Sequence, residues 1–142
     1  MSIRAGYLLD TNVLSETRRK TPDANVAAFF SDAEPSLLYV SVLTLGELRK
    51  GAALRRKSDP DTADRLAAWI DGLEFSYAEH ILGIDAATAR LWGEWSAQRP
   101  RPVVDTLLAA TASAHGLTFA TRNIQDVQDL PVNLFNPWQA SI

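Results

Sequence analysis

Three acidic residues lie in surroundings that are unusual for surface carboxylates. Asp10 follows the apolar run YLL, Glu47 lies within LGEL, and Asp105 interrupts VVDTLL. Carboxylates that are held close together and partly buried repel one another and lose hydration, unless a cation or protons neutralise them. The chain has no cysteine, and neither histidine is near these motifs. If the three acids meet, their all-oxygen ligand set favours a hard ion, Mg²⁺ or Mn²⁺, over zinc.

Each acid also has a purely structural explanation. Asp10 could form an Asx turn or cap a helix after a strand. Glu47 stands three residues after Thr44, a spacing that fits a capping box. Asp105 falls in the first helical turn after Pro102, where a negative charge complements the helix dipole. Taken singly the structural explanations are favoured, and it is the shared apolar context of the three acids that favours chemistry.

Strands alternate with helices along the chain. Apolar and β-branched runs predict strands over residues 5–9, 37–42, 81–84 and 117–121, and an edge strand over 132–135. Helical spacing and capping residues predict helices over residues 13–17, 24–33, 44–57, 62–73, 85–99 and 103–115. The third and fourth helices should form a helical hairpin inserted between strands. This order predicts a three-layer α/β/α fold with a short central parallel sheet, and Asp10 at its carboxyl edge, where ligands of such folds bind.

Composition narrows the class of protein. A length of 142 residues predicts one domain over residues 1–142. Apolar residues make up 46% and charged residues 22%, which excludes the disordered class. The formal charge of -3 does not indicate a nucleic-acid binder, so any such contact would depend on local basic patches. We expect the cytoplasm, because the sequence has no apolar signal segment and no run long enough to span a membrane.

Four short motifs occur in an order and spacing that resemble one family. They are LLDTNV at residues 8–13, SVLTLGEL at 41–48, VVDTLLAATA at 103–112 and ATRN at 120–123. Together they resemble the PIN-domain ribonucleases, and among these the VapC toxins of bacterial type II toxin–antitoxin pairs. The terminal FNPW at residues 135–138 is similar to one branch of that family. The resemblance covers nearly the whole chain. No single motif is specific for the family, but four motifs in the same order and at the same spacing are.

The resemblance implies a Mg²⁺-dependent endoribonuclease. Asp10, Glu47 and Asp105 match the invariant acids of the family, which implies that they are both catalytic residues and metal ligands. The fourth acidic position of the family is here Asn123, which is a departure, and Asp126, one turn further on, could substitute. Both candidates for that position stay open.

Neighbouring polar and basic residues are expected to support these acids. We expect Thr11, Asn12 and Thr121 to orient the acids through their side chains. Arg122 borders the predicted site, and Arg49 and Lys50 follow Glu47 on its helix. These three cations are candidate RNA contacts, although each could equally be part of a solvated helix surface. The resemblance further implies an RNA substrate, a cognate antitoxin protein, and a homodimer or a toxin–antitoxin hetero-oligomer.

Other functions remain as alternatives. The departure at Asn123 leaves room for a weak or inactive PIN scaffold that binds RNA or protein, although all three main acids are present. A metal-dependent phosphatase could use Asp10 as nucleophile, but such sites need a second Asp two residues later, where this chain has Asn12. A dinucleotide-binding domain is not supported, because the sequence lacks a G-x-G-x-x-G motif.

Overall fold

A sheet of five parallel strands lies at the centre of the protein, whose computed structural model describes residues 6–139. The strands are β1 (Tyr7–Leu9), β2 (Leu38–Ser41), β3 (Ile81–Leu82), β4 (Thr118–Ala120) and β5 (Leu134–Phe135). Their order is β3-β2-β1-β4-β5, and every neighbouring pair is parallel. Because β1 is the middle strand, the residue that follows it leaves the sheet at the centre of the carboxyl edge.

Helices cover both faces of this sheet. They are α1 (Thr11–Thr17), α2 (Ala24–Asp32), α3 (Val42–Arg55), α4 (Pro60–Ser76), α5 (Ala86–Gln98) and α6 (Val103–Ala114). Successive strand residues point to opposite faces, so Leu8 packs with α5 and α6 while Leu9 packs with α1, α3 and α4. The predicted three-layer α/β/α fold is confirmed. Within residues 6–139, no helix combines the length and the apolar character needed to cross a membrane.

The strands are shorter than the sequence predicted, and the first residue of the predicted segment 5–9 lies outside the described residues. The prediction for β3 is wrong beyond Leu82. This strand pairs only with β2, in the register Ser41 opposite Leu82, and β2 ends at Ser41. A strand that extended to Ile84 would therefore have no partner for its backbone groups.

The start of α3 also differs from the prediction. The Ser41 side chain accepts a hydrogen bond from the backbone N–H of Leu43, so Ser41 is the N-cap and the helix begins at Val42. Thr44 consequently lies inside the first turn, and Glu47 lies one turn further along the helix. The capping-box explanation of Glu47 is therefore wrong, because the position that it would cap is already helical.

The predicted helical hairpin of α3 and α4 is confirmed. Arg49 of α3 forms ion pairs with Asp71 at 2.6 Å and with Glu74 at 3.1 Å, both on α4. Arg56, just after α3, pairs with Asp64 of α4 at 2.8 Å. These contacts align the two helices along their length, and α4 is longer than predicted, running from Pro60 to Ser76.

The end of α6 determines where its first turn lies. Gly116 has φ +65°, a left-handed conformation that glycine adopts without the steric cost that other residues meet. The chain turns there into β4, and the backbone N–H of Leu117 donates to the carbonyl of Ala112 at 2.8 Å. Because α6 ends at the amino edge of the sheet, its first turn, which contains Asp105, lies toward the carboxyl edge.

Candidate active site

Asp10 is a buried carboxylate at the centre of the carboxyl edge, with a side chain only 4% exposed. Its Oδ1 accepts a hydrogen bond from the backbone N–H of Thr11 at 2.7 Å, so it also caps α1. Its Oδ2 accepts from the hydroxyl of Thr121 at 2.7 Å. Burial raises the pKa of Asp10 to about 6, and the charges of Asp105 and Glu47 add to this although both hydrogen bonds lower it. Near neutral pH this carboxylate therefore lies in an environment that disfavours its negative charge.

Glu47 reaches the same edge from the second turn of α3. Its Oε1 accepts a hydrogen bond from the hydroxyl of Thr11 at 2.6 Å. The Thr11 hydroxyl oxygen in turn lies 3.2 Å from that of Thr44, which is fully buried. Thr44 was not among the residues predicted for the site. Its position three residues before Glu47, on one side of the same helix, was the available signal.

Asp105 is half-buried in the first turn of α6. Burial raises its pKa above the usual value, and the negative charges of Asp126 and Glu47 raise it further. The three predicted acids therefore act on one another electrostatically, as their shared apolar context had indicated. They come from separate parts of the chain, after β1, on α3 and on α6.

The two candidates for the fourth acidic position have different surroundings. Asp126 ends a 3₁₀ turn (Ile124–Asp126), and its charge acts on Asp105. Asn123 contacts the site through its backbone, whose N–H donates to the hydroxyl oxygen of Thr121 at 3.0 Å. Asp126 is therefore the electrostatic neighbour of the acids, whereas Asn123 helps to orient the hydroxyl that binds Asp10.

The remaining polar and basic candidates are only partly brought together. Thr11 and Thr121 contact the acids directly, whereas the side-chain oxygen of Asn12 is buried with no hydrogen-bond partner among residues 6–139. Arg122 directly follows Thr121, and Lys50 is exposed on α3. The ion pairs of Arg49 with Asp71 and Glu74 of α4 make its charge less available to RNA. Contact between Arg49 and RNA stays a prediction.

The donor set fits a hard divalent cation. Within residues 6–139, no three Asp, Glu, His or Cys side chains are close enough in this conformation to form a complete metal site. Mg²⁺ does not require a site made of three protein side chains, because one or two carboxylates commonly bind it and water and phosphate oxygens complete its coordination. Asp10 and Asp105 offer carboxylates whose pKa values are raised by burial and by neighbouring negative charge. A cation bound there would offset both the loss of hydration of these carboxylates and the repulsion between their charges.

A separate open cavity of about 640 Å³ lies at the amino ends of β2 and β3, beside Leu38 and His80. Leu38, Leu73, Phe75, Tyr77 and His80 contribute to its walls, and Glu79 is its carboxylate. This single lining carboxylate does not reproduce the arrangement around Asp10, whose charge is disfavoured by burial and by two further acids. The carboxyl edge is therefore the better candidate site.

Comparison with known families agrees with this geometry. The sequence profile of the PIN domain matches residues 7–128. The chain belongs to the PIN domain family. Asp10, Glu47 and Asp105 all fall within the matched part of the PIN domain.

Two relatives match this PIN domain over nearly its whole length. Toxin FitB of Neisseria gonorrhoeae is 34% identical over 138 residues, which is 92% of this chain and 97% of that protein. VapC ribonuclease Y4jK of Sinorhizobium fredii is 31% identical over 137 residues, 93% of this chain and 97% of that protein. The crystal structure of FitAcB from Neisseria gonorrhoeae matches with a TM-score of 0.85 and 31% identity, covering 94% of this chain and 99% of that chain. The predicted resemblance to VapC-like PIN domains is confirmed.

The hydrogen bond from Thr121 leads to a testable prediction for this PIN domain. In a Thr121→Val variant we expect the pKa of Asp10 to rise above about 6, because the hydroxyl that stabilises its charged form is removed. The pKa is measured by following the Asp10 carboxyl carbon in NMR spectra across a pH series. Thr118→Val, which changes the same residue type within β4, should leave it unchanged. An unchanged or lower pKa in Thr121→Val would contradict the role given to Thr121.

Proposed function

We propose that this PIN domain is a Mg²⁺-dependent endoribonuclease and acts as the toxin of a type II toxin–antitoxin pair. The main support is the buried carboxylate of Asp10, whose charge is disfavoured by burial and by two neighbouring acids. Burying a carboxylate beside two other acids lowers the stability of the fold. Groups with such perturbed pKa values are typical of functional sites. The names of its relatives support the activity, since one is called a toxin and another a VapC ribonuclease.

Each residue has a defined part in this proposal. Asp10 and Asp105, with Glu47, would hold Mg²⁺, or Mn²⁺ in its place. When bound, the ion would activate water and neutralise negative charge on the phosphate that is cleaved. The hydroxyl of Thr121 holds Asp10, and the hydroxyl of Thr11 holds Glu47. The chain's own contribution is therefore to orient Asp10 and Glu47 at the edge of the sheet through hydrogen-bond donors behind them, and to hold Asp105 in the first turn of α6.

The proposal includes an antitoxin protein as partner, in a hetero-oligomer or together with a homodimer of this chain, and the cytoplasm as its place of action. The toxin name of FitB supports it. Phe75 is 86% exposed and Leu54 is 57% exposed, and each is an apolar side chain that such a partner could cover.

The proposed activity is tested by incubating the purified, partner-free protein with a mixed RNA pool, with Mg²⁺ and with EDTA. We expect cleavage only with Mg²⁺, and none from the Asp10→Asn variant. A folded protein that leaves every RNA intact would contradict the proposal and favour the PIN scaffold. Calorimetric titration with Mn²⁺ would then show whether that scaffold still binds metal. Turnover of a phosphomonoester instead of RNA would favour the phosphatase.

The fourth acidic position can be tested separately. We expect Asp126→Asn to lower the affinity for Mn²⁺ by about tenfold, as outer carboxylates commonly do, because Asp126 adds negative charge beside Asp105. Asn123→Ala should have a smaller effect, since Asn123 acts through its backbone N–H. Calorimetric titration measures both affinities. A larger loss in Asn123→Ala than in Asp126→Asn would assign the position to Asn123.

A further inference from the structure

Arg122 has an unusual contact for a cation beside a group of acids. Its guanidinium carbon lies 4.9 Å from the centroid of the Trp138 ring, a cation–π distance. The residue is exposed and directly follows Thr121, which binds Asp10. The position of Arg122 is therefore tied to the candidate site on one side and to an aromatic ring on the other.

Trp138 is held firmly enough to act as a support. The side-chain amide of Asn25 donates to the carbonyl of Trp138 at 2.7 Å, and the backbone N–H of Trp138 donates to Oδ1 of Asn136 at 2.9 Å. The half-buried ring packs against the apolar cluster that contains Leu9 and Val13. Backbone and ring are thus both fixed, so the guanidinium rests on a rigid surface.

The charge of Arg122 is not used to neutralise the acids. Among the ion pairs of residues 6–139, none involves Arg122. The charged groups that shift the pKa values of Asp10 and Asp105 are carboxylates. An arginine free to move would be attracted to those carboxylates. Stacking on Trp138 keeps the cation apart from them and leaves its N–H groups available to another anion.

We infer that Trp138 is a positioning residue that holds the guanidinium of Arg122 at the carboxyl edge for contact with a backbone phosphate of bound RNA. This inference rests on the proposed ribonuclease function and adds the residue that orients the cation. Arginine binds phosphate through its planar set of N–H donors, and a fixed orientation lowers the entropy lost on binding. Trp138 therefore acts through Arg122, while Arg122 touches the RNA.

The test measures binding of a short, labelled, single-stranded RNA of mixed sequence, in EDTA so that binding is separated from cleavage, over a series of KCl concentrations. Arg122→Gln should weaken binding and reduce the slope of log affinity against log salt by about 0.7, the value for one phosphate contact with a single strand. Arg90→Gln, which removes the same charge from α5, should leave the slope unchanged. An unchanged slope in Arg122→Gln would overturn the inference.

The role of Trp138 is tested by a double-mutant cycle. Trp138→Ala should weaken RNA binding about two- to fivefold, the equivalent of an exposed cation–π contact, and should have no further effect in an Arg122→Gln background. Equal weakening in both backgrounds would overturn the inference, because Trp138 would then contact RNA directly. Trp138→Phe, which retains an aromatic ring, should restore most of the affinity.

Two controls separate this inference from stability and from the proposed activity. Urea unfolding is measured for each variant. Trp138→Leu, which keeps an apolar side chain but has no aromatic ring, replaces Trp138→Ala in the cycle if the alanine variant does not fold. Mg²⁺-dependent cleavage by the unaltered protein is measured in parallel. Cleavage with no coupling between Arg122 and Trp138 overturns the inference alone. The expected coupling without cleavage supports the inference and contradicts the proposed nuclease.

Discussion

Replacing Asp10 by asparagine is expected to lower Mg²⁺-dependent RNA cleavage on the order of 10³-fold or more, because a ligand worth several kcal/mol of charge stabilisation is lost. The fold should remain, since asparagine has nearly the same shape. Its amide oxygen can accept the hydrogen bond from the backbone N–H of Thr11, and its amide N–H can donate to the hydroxyl oxygen of Thr121. The measurement is the initial rate of cleavage of a labelled RNA under single-turnover conditions, for both proteins at the same Mg²⁺ concentration.

A matched control separates this effect from a general loss of negative charge. Asp61→Asn makes the same chemical change at an exposed residue in the first turn of α4, and it should leave the cleavage rate unchanged. If Asp10→Asn retains a rate within tenfold of the unaltered protein, Asp10 does not have the role proposed for it. A Mg²⁺-dependent activity that survived the change would have to arise at another site.

The second large effect concerns stability. The free energy of unfolding should fall as the pH rises from about 4 to about 6, because the pKa of Asp10 is raised from 3.8 to about 6 in the folded protein. In this range the unfolded chain releases the proton while the folded protein retains it, so deprotonation favours unfolding. At 1.36 kcal/mol for each pKa unit, the loss amounts to about 3 kcal/mol above pH 6. Asp10→Asn should therefore be more stable than the unaltered protein near neutral pH.

This effect is measured by urea unfolding between pH 4 and pH 8, in EDTA, for the unaltered protein and for Asp10→Asn. The difference between the two is the relevant quantity, since Asp59, Asp85 and Asp129 have lowered pKa values that contribute with the opposite sign in both proteins. We expect this difference to be small at pH 4 and to grow to about 1–3 kcal/mol above pH 6, after allowance for imperfect hydrogen bonds of the amide. A difference that is independent of pH would show that Asp10 is not destabilised by its charge. Added Mg²⁺ should reduce this difference in the free energy of unfolding, because it stabilises the unaltered protein, which binds it, and not Asp10→Asn.

The sequence by itself determined the architecture and the location of the acids. Apolar runs such as YLL before Asp10 predict buried strands, and their alternation with helices permits few arrangements other than a parallel sheet covered on both faces. Because the carboxyl ends of parallel strands share one edge, the position of Asp10 followed from its place in the chain. Hydrophobic periodicity is a local property, which explains why helices and strands could be read from the sequence.

The tertiary structure decided which side chains meet. Both Asn123 and Asp126 fit the fourth acidic position in sequence, but only the folded chain brings the charge of Asp126 to bear on Asp105. The boundary at Ser41, and with it the place of Thr44 beside Thr11, depends on a capping hydrogen bond that competes with one more strand residue. These contacts join residues that are distant in sequence or differ by small conformational energies, so periodicity contains no information about them.

The same reason applies to the basic residues. The sequence offers both Arg49 and Arg122 as phosphate ligands and favours Arg122 only because it borders the predicted site. In the folded chain Arg49 lies between two carboxylates of α4, whereas Arg122 rests on the ring of Trp138. The charge of a side chain is determined by its type, whereas the availability of that charge depends on the neighbours that folding provides. The sequence therefore showed which residue types are available for catalysis and for binding. Only the tertiary structure determined which of those residues act together.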